Sequence, residues 1–447
     1  MVGEPEPMRI LLISHGYPPF ALAGVERVTQ QTAAALTEAG HSVTVLSRRT
    51  MPAPPLPTIE RTRHADGVDV IMISGGRAAP GGPFPGHQDR LERIFERILL
   101  EQLPDVVVIG HLMMHAPGYV AIAHRWHIPV VMELHDFYNV CERAHLERPT
   151  GELCAGPEGG RACSRHCFSE QEDAPGRWAL RTHLFGLALS HADALICPST
   201  FVADYFRDFG IAPERLQVIP NGISFVGRPI DGGAARTVKA PEEPLRLASL
   251  GVVAQHKGPH MVVEALRKAR LPSVHYILFG ALTQPYARQL RESARESPGL
   301  ELRMYGAYDP QSLPQLLADV DAVIIPSLVW ETFSIVAREA MVCGIPVIAS
   351  RLGALPEAIR EGENGMLFAP HRSAELAAVL QALDTDRSIL ARLRAGIKAT
   401  DWITIGERTR RLEAVLRRVC SKGPASGERE ASQPDLAALR TLLAPAQ

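Results

Sequence analysis

The sequence has almost no net charge: 47 lysines and arginines against 49 aspartates and glutamates leave −2 over 447 residues. That balance excludes binding to nucleic acid or anionic membrane through a global field, so any basic surface has to be local. Long apolar runs are missing too. LRLASLGVV and DAVIIPSLVW fall far short of the ~20 residues of a spanning helix. Met1 to Pro7 has neither the basic nor the apolar region of a cleaved secretion signal. The expectation is a cytoplasmic chain with, at most, peripheral contact at the inner face of the plasma membrane. Its seven cysteines should then be mostly reduced. The first loop, SHGYPPFALAGVERV, contains no G-x-G-x-x-G, which argues against an ordinary dinucleotide dehydrogenase.

What is present is the composition of a soluble α/β protein, with 46% hydrophobic and 21% charged residues. The length exceeds what one core usually supports and predicts two domains of roughly 200 residues each. Short β-branched runs alternate with amphipathic stretches. MRILLIS (8–14), SVTVLS (42–47), VDVIMIS (68–74), DVVVIG (105–110), PVVMELH (129–135) and ADALICPS (192–199) read as strands, with helices over 25–39, 88–103 and 118–127. Continuous apolar strands between helices indicate parallel sheets covered on both faces. A Gly-, Pro- and charge-rich stretch, 226–244, reads as a linker. The rhythm restarts at LRLASLG (245–251) and continues through VHYILFG, LELRMYG, DAVIIPS, PVIAS and GMLFAP.

The predicted organisation is a first domain over 1–225, a second over 245–402, a helix over 403–420 that could pack back on the first, and a tail from 421 that is partly disordered. Two doubly wound α/β domains would face each other across a cleft, with ligands at the carboxyl ends of the strands. That rule selects the loops after Ser14, His135, Gly251, Gly280, Gly306 and Ser327.

The most specific segment is PSLVWETFSIVAREAMVCGIPVIAS, 326–350, with seven residues between Glu331 and Glu339. Glu331 falls in the loop after a strand, and Glu339 about two turns into the next helix. Phe333, Ser334 and Ile335 would open that helix and offer free N–H groups to an anion such as a diphosphate. Glu339 would then accept from ribose hydroxyls while Glu331 reaches a sugar. The bland reading is two glutamates on a solvated helix.

Three weaker features stand in the same order along the chain. In GVVAQHKGPHMVVEAL (251–266), Lys257 can neutralise a phosphate and Gly258 permits close backbone approach; an exposed loop lysine is the alternative. Gly24 sits before the first helix, after a loop that Pro18 and Pro19 turn. His135 and Asp136 stand at the end of a strand, where a histidine can hydrogen bond to sugar hydroxyls or be satisfied internally.

Together with VIPNGI (218–223), these segments resemble the retaining GT-B glycosyltransferases known as glycosyl transferases group 1, family four, over about Met8 to Val419. The resemblance implies two Rossmann-like domains and transfer of a sugar from a UDP- or GDP-linked donor to a glycan or lipid-linked acceptor, with no metal in the chemistry. It implies that Glu331 contacts the donor sugar and Glu339 the ribose. Lys257, Gly24 and the backbone of Phe333, Ser334, Ile335 and Val336 would hold the diphosphate, and the backbone near Tyr305 and Gly306 would meet the base. His135 would contact the transferred sugar. The departing diphosphate would be stabilised electrostatically. One position departs from the family: Val252 stands where an arginine is usual, with Gln255 and His256 as partial substitutes. A non-catalytic nucleotide-sugar-binding or partner protein is the competing reading, and Val252 is its support. Nucleotide-sugar epimerases of the same fold lack the two-glutamate context.

Two further features are local. Cys141, Cys154, Cys163 and Cys167 fall within 27 residues of a Gly-rich insertion, 141–167, with His166 beside the last. They could bind a structural zinc, stay free thiols or form disulfides; their spacing is not that of paired C-x2-C knuckles. GRWALRTHLFGLALSHAD, 176–193, carries Arg177, Trp178 and Arg181 at its start. It fits a helix lying on a bilayer or one with its apolar face on the core.

Overall fold

The computed structural model describes residues 6–21, 24–49, 57–75, 87–168, 176–224, 243–398 and 402–422. Most of the expected linker and nearly all of the expected tail lie outside the described residues. The chain divides into two units. One contains Met1–Pro149, Cys154–Gly222 and Ile405–Gln447; the other contains Thr150–Leu153 and Ile223–Thr404.

The first unit is built on β1 (Arg9–Ser14), β2 (Ser42–Arg49), β3 (Thr58–Arg63), β4 (Asp69–Ser74), β5 (Val106–Ile109), β6 (Val130–Glu133), β7 (Ala194–Cys197) and β8 (Leu216–Val218). They form one sheet in the order β3-β4-β2-β1-β5-β6-β7-β8. Every pairing is parallel except β3 with β4. β3 escapes sequence reading because TIERTR has no apolar run. Its charges suit an edge strand, where they discourage pairing with another chain. The strand expected over 192–199 ends at Cys197 because Ser199 caps the next helix, its Oγ accepting from the Val202 N–H at 3.3 Å. The helix Ile405–Lys422 belongs to this unit. Its Leu412, Val415, Leu416 and Val419 are buried in one cluster with Leu12, Val45, Val108 and Val131.

The second unit contains β9 (Leu245–Leu250), β10 (Val274–Phe279), β11 (Leu300–Gly306), β12 (Ala322–Ile325), β13 (Val347–Ser350) and β14 (Gly365–Phe368). Its sheet runs β11-β10-β9-β12-β13-β14, parallel throughout. Side chains alternate between faces, as pleating requires. Leu247, Ile324 and Ile348 join Val262, Leu266 and Leu380 in one cluster. Ala248, Val323 and Val347 join Ala337, Ala340 and Met341 in another. Helices therefore cover both faces, the doubly wound arrangement.

Each sheet reverses strand order once, between β1 and β5 in the first unit and between β9 and β12 in the second. Ligands bind outside the carboxyl ends of strands at such a reversal.

Candidate functional site

At the second reversal the loops after β9 and β12 bring Lys257 and Glu331 together. Lys257 Nζ lies 2.7 Å from Glu331 Oε1, and Ser327 Oγ donates to the same oxygen at 2.8 Å. Ser350 Oγ, from β13, donates to the Ser327 carbonyl at 2.7 Å and fixes that loop from behind. The Glu331 carbonyl accepts from the Ala354 N–H at 2.7 Å, and a Cβ at Gly353 would sit 2.3 Å from that oxygen. Gly353 is therefore required for the loop to close. Gly258 is required too, because its φ is +70° and a Cβ there would meet the Pro326 carbonyl at 2.0 Å. The close approach expected of Gly258 is to Pro326.

A cavity of about 90 Å³ opens here, lined by Ser249, Gly251, Val252, Lys257, Glu331 and Val336 among others. Val252 is 45% exposed, so the position where the family usually has arginine borders the cavity. The helix expected from Phe333 begins instead at Ile335. Ser334 precedes it with φ 56° and ψ 75°, the left-handed region that a helix cannot include. Glu339 is consequently the fifth residue of the helix Ile335–Val342, just over one turn in, not two. Ser334 makes no side-chain cap, so the first N–H groups of the helix keep their capacity for an anion.

Both glutamates are withdrawn from water: Glu331 is 9% and Glu339 1% exposed. This excludes the solvated-helix reading. Gly306 ends the edge strand β11 at φ +92°, and the neighbouring Tyr305 is 62% exposed, its ring centroid 5.3 Å from that of Phe279.

Arg338 was not picked out by the sequence reading. It is buried, its guanidinium carbon lies 3.8 Å over the Phe333 ring, and Nη1 donates to the Phe333 carbonyl. Burial lowers its pKa to about 10, opposed by Glu357. The side chain braces the turn before Ile335 from inside.

At the first reversal, His15 follows β1 and His111 follows β5, with ring centroids 4.3 Å apart. His15 Nε2 lies 3.0 Å from Glu26 Oε1. His111 Nδ1 accepts from the Met113 N–H at 2.9 Å, so its Nε2–H donates to Asp136 Oδ2 at 2.9 Å. Burial would raise Asp136, but His111, the Tyr138 N–H and His145 together outweigh it and hold the carboxyl below its ordinary range. His115, buried, donates through Nε2 to the Ser14 carbonyl at 2.9 Å, and burial lowers its pKa to about 3. The strand-end rule also selects the loop after Gly110, and applying it there would have found His111. Gly24 begins the helix Gly24–Glu38, exposed and with open space where a Cβ would be; Leu22 and Ala23 of its loop lie outside the described residues.

His135 follows β6, its side chain 5% exposed and its Nε2 3.1 Å from Glu133 Oε2. Asp136 therefore serves His111, and His135 has its own carboxylate.

The four insertion cysteines are free thiols. Cys163 is raised to about 12 by burial first and then by Cys141, Cys167 and Cys154. Among the described residues, no group of three or more His, Cys, Asp or Glu is arranged to hold a metal. The helix Arg177–His191 turns Trp178 and Arg181 into the fold and leaves Leu180 and Leu187 exposed. Trp178 is 2% exposed and stacks on Phe168, with ring centroids 3.8 Å apart. Arg181 is 3% exposed and donates to Glu142 Oε2 at 2.6 Å and to the Tyr138 carbonyl at 2.5 Å. No helix among the described residues is long and apolar enough to cross a membrane.

Residues 234–400 match the model for glycosyl transferases group 1, and residues 22–225 match that for glycosyltransferase family 4. A D-inositol 3-phosphate glycosyltransferase of Rhodococcus opacus is 30% identical, over 71% of this chain and 72% of its own length. The chain belongs to the group 1 glycosyltransferases. A glycogen synthase of Mycobacterium tuberculosis is 28% identical over 92% of this chain and 95% of its own. Among solved structures, Anabaena HepE in complex with UDP and glucose covers 92% of this chain and 100% of its own at TM-score 0.64 and 20% identity. Sucrose-phosphate synthase of Thermosynechococcus elongatus covers 93% and 100% at TM-score 0.67 and 19% identity. These glycosyltransferase neighbours identify the fold of this group 1 member as GT-B.

Proposed function

We propose that this glycosyltransferase moves a hexosyl group from a nucleoside-diphosphate donor, UDP- or GDP-linked, to a hydroxyl of a glycan or lipid-linked acceptor, with retention of anomeric configuration. The observation that carries this reading is the pairing of Lys257 with Glu331 at the reversal of the second sheet, beside a helix N-terminus that Ser334 leaves uncapped.

In this reading the second unit holds the donor. Lys257 and the N–H groups from Phe333 to Val336 bind the diphosphate. Glu339 accepts from the ribose, Glu331 from the sugar, and the backbone at Gly306 meets the base. His135 contacts the transferred sugar on the acceptor side. The acceptor oxygen bonds to the anomeric carbon from the face on which the carbon–phosphate oxygen bond breaks, and the acceptor proton passes to the departing phosphate. Lys257 and the helix N-terminus stabilise the charge that collects on the leaving group.

Val252 favours a second reading, a nucleotide-sugar-binding protein without transfer. Incubation with a panel of labelled nucleotide sugars and glycan acceptors separates the two. Labelled product with the donor's anomeric configuration supports the first; donor binding with no transfer to any acceptor supports the second.

For the cysteine insertion we propose an ordering role. Zinc is the metal four such thiols would take, after a shift from their present placement. Elemental analysis that finds neither zinc nor iron in the purified chain removes that proposal.

A further inference from the structure

The helix Ile405–Lys422 places an arginine next to the end of β6. Arg408 is in its first turn with a side chain 3% exposed. Nη1 donates to Thr32 Oγ1 at 2.5 Å, and Nη2 donates to Glu133 Oε1. The other oxygen of Glu133 is 3.1 Å from His135 Nε2. Glu133 is fully buried, 0% exposed, and so a guanidinium, a carboxylate and an imidazole form one buried chain inside the first unit.

Stability alone is a weak account of this arrangement. Desolvating an ion pair costs several kcal/mol per ion, and apolar residues of similar volume usually serve a fold as well or better. A carboxylate behind an imidazole does have a chemical use: it sets which nitrogen carries the proton and favours the charged ring.

We infer that Glu133 and Arg408 are positioning residues for His135, Glu133 fixing the imidazole and Arg408 fixing Glu133. The inference rests on the role given to His135 above. Burial by itself would raise the Glu133 carboxyl, yet Arg408 and His135 hold it down at about 2. Glu133 is thus ionised near neutral pH and can only accept, so His135 Nε2 carries the proton between them. The charged groups facing Glu133 are Arg408 from the helix and His135 from the end of its own strand; Thr32, from the helix Gly24–Glu38, engages the far side of the guanidinium. Nothing in the segment around Glu133 points to Arg408, which lies 275 residues away.

The test uses full-length His135→Ala, Glu133→Gln, Arg408→Met and Arg408→Lys proteins, with kcat, donor and acceptor KM, the pH profile of kcat and the melting temperature of each. His135→Ala should lose transfer. Arg408→Met and Glu133→Gln should lower kcat ~10- to 100-fold, the range for a misplaced catalytic group, with donor KM unchanged. The acid limb of the Arg408→Met profile should move to higher pH as Glu133 protonates without its arginine, and Arg408→Lys should recover part of both effects. Should Arg408→Met fail to fold, Glu133→Gln and Arg408→Lys decide. An inactive His135→Ala beside Glu133→Gln and Arg408→Lys with wild-type kcat and pH profile would overturn the inference and leave the function standing. A fully active His135→Ala would overturn the role of His135 and this inference with it.

Discussion

Lys257 and Glu331, 74 residues apart in sequence, meet at 2.7 Å where the loops after β9 and β12 converge. Their side chains are 38% and 10% exposed, so the ammonium is the more accessible partner. A diphosphate entering beside Ile335 gains a cation already held near its place. Lys257→Ala removes that charge and also one of the groups that hold Glu331. Nucleoside diphosphate should bind on the order of 10-fold more weakly, as expected for one charge-assisted contact. Lys257→Arg should recover only part, because a planar fork does not reproduce a point charge. Isothermal titration with UDP and GDP measures both.

Val252 borders the same cavity and is 45% exposed, so a longer side chain there has solvent to extend into. Val252→Arg adds a second cation near the diphosphate. It should tighten binding of the nucleoside diphosphate several-fold at low salt and lose most of that gain near ~1 M salt, where screening is strong. A titration repeated across ionic strength tests this, and unchanged affinity would place residue 252 away from the anion.

Two glycines carry the loop geometry. Gly258→Ala and Gly353→Ala each force a Cβ into a carbonyl oxygen, Pro326 at 2.0 Å and Glu331 at 2.3 Å, at positive φ. Each should cost on the order of 2 kcal/mol or more, read as a lowered melting temperature. Gly306→Ala is the control: its φ is positive but no atom lies within 4 Å of the added Cβ, so it should cost less.

Glu133 gives a pH signature. Its folded pKa, about 2, lies below the ordinary 4.5, so its stabilising contribution is full above pH 4.5 and is lost as pH falls toward 2. In Arg408→Met the folded value rises toward or past 4.5, so the variant is less stable than the parent at neutral pH while its acid-linked loss shrinks or reverses, and the gap between the two should narrow as pH falls. Melting temperatures measured from neutral pH down to about pH 2.5 show the narrowing or its absence.

Much of the architecture is legible in the sequence because buried parallel strands are continuous apolar runs. VVVI at β5 and AVII at β12 stand out from the polar loops around them. TIERTR at β3 does not, since an edge strand facing water needs no apolar face. The two-glutamate segment is legible by its order of strand, loop and helix, but the left-handed Ser334 that delays the helix is not. Nothing in ETFSIVA marks one residue for a conformation set by the packing of Phe333 and Arg338 around it. His15 with His111, and Glu133 with Arg408, depend on loops and helices brought together by the tertiary fold. Spacing along the chain carries no trace of such pairs; the strand-end rule points to the loops but not to which side chains they will join.

Sugar transfer by Glu331→Ala, followed with a labelled donor beside the parent protein, tests the role of the paired loops most directly. Removal of the carboxylate that Lys257 and Ser327 hold should abolish product while the fold and its melting transition persist. Product formed at the parent's rate would show that the chemistry does not take place at Lys257 and Glu331.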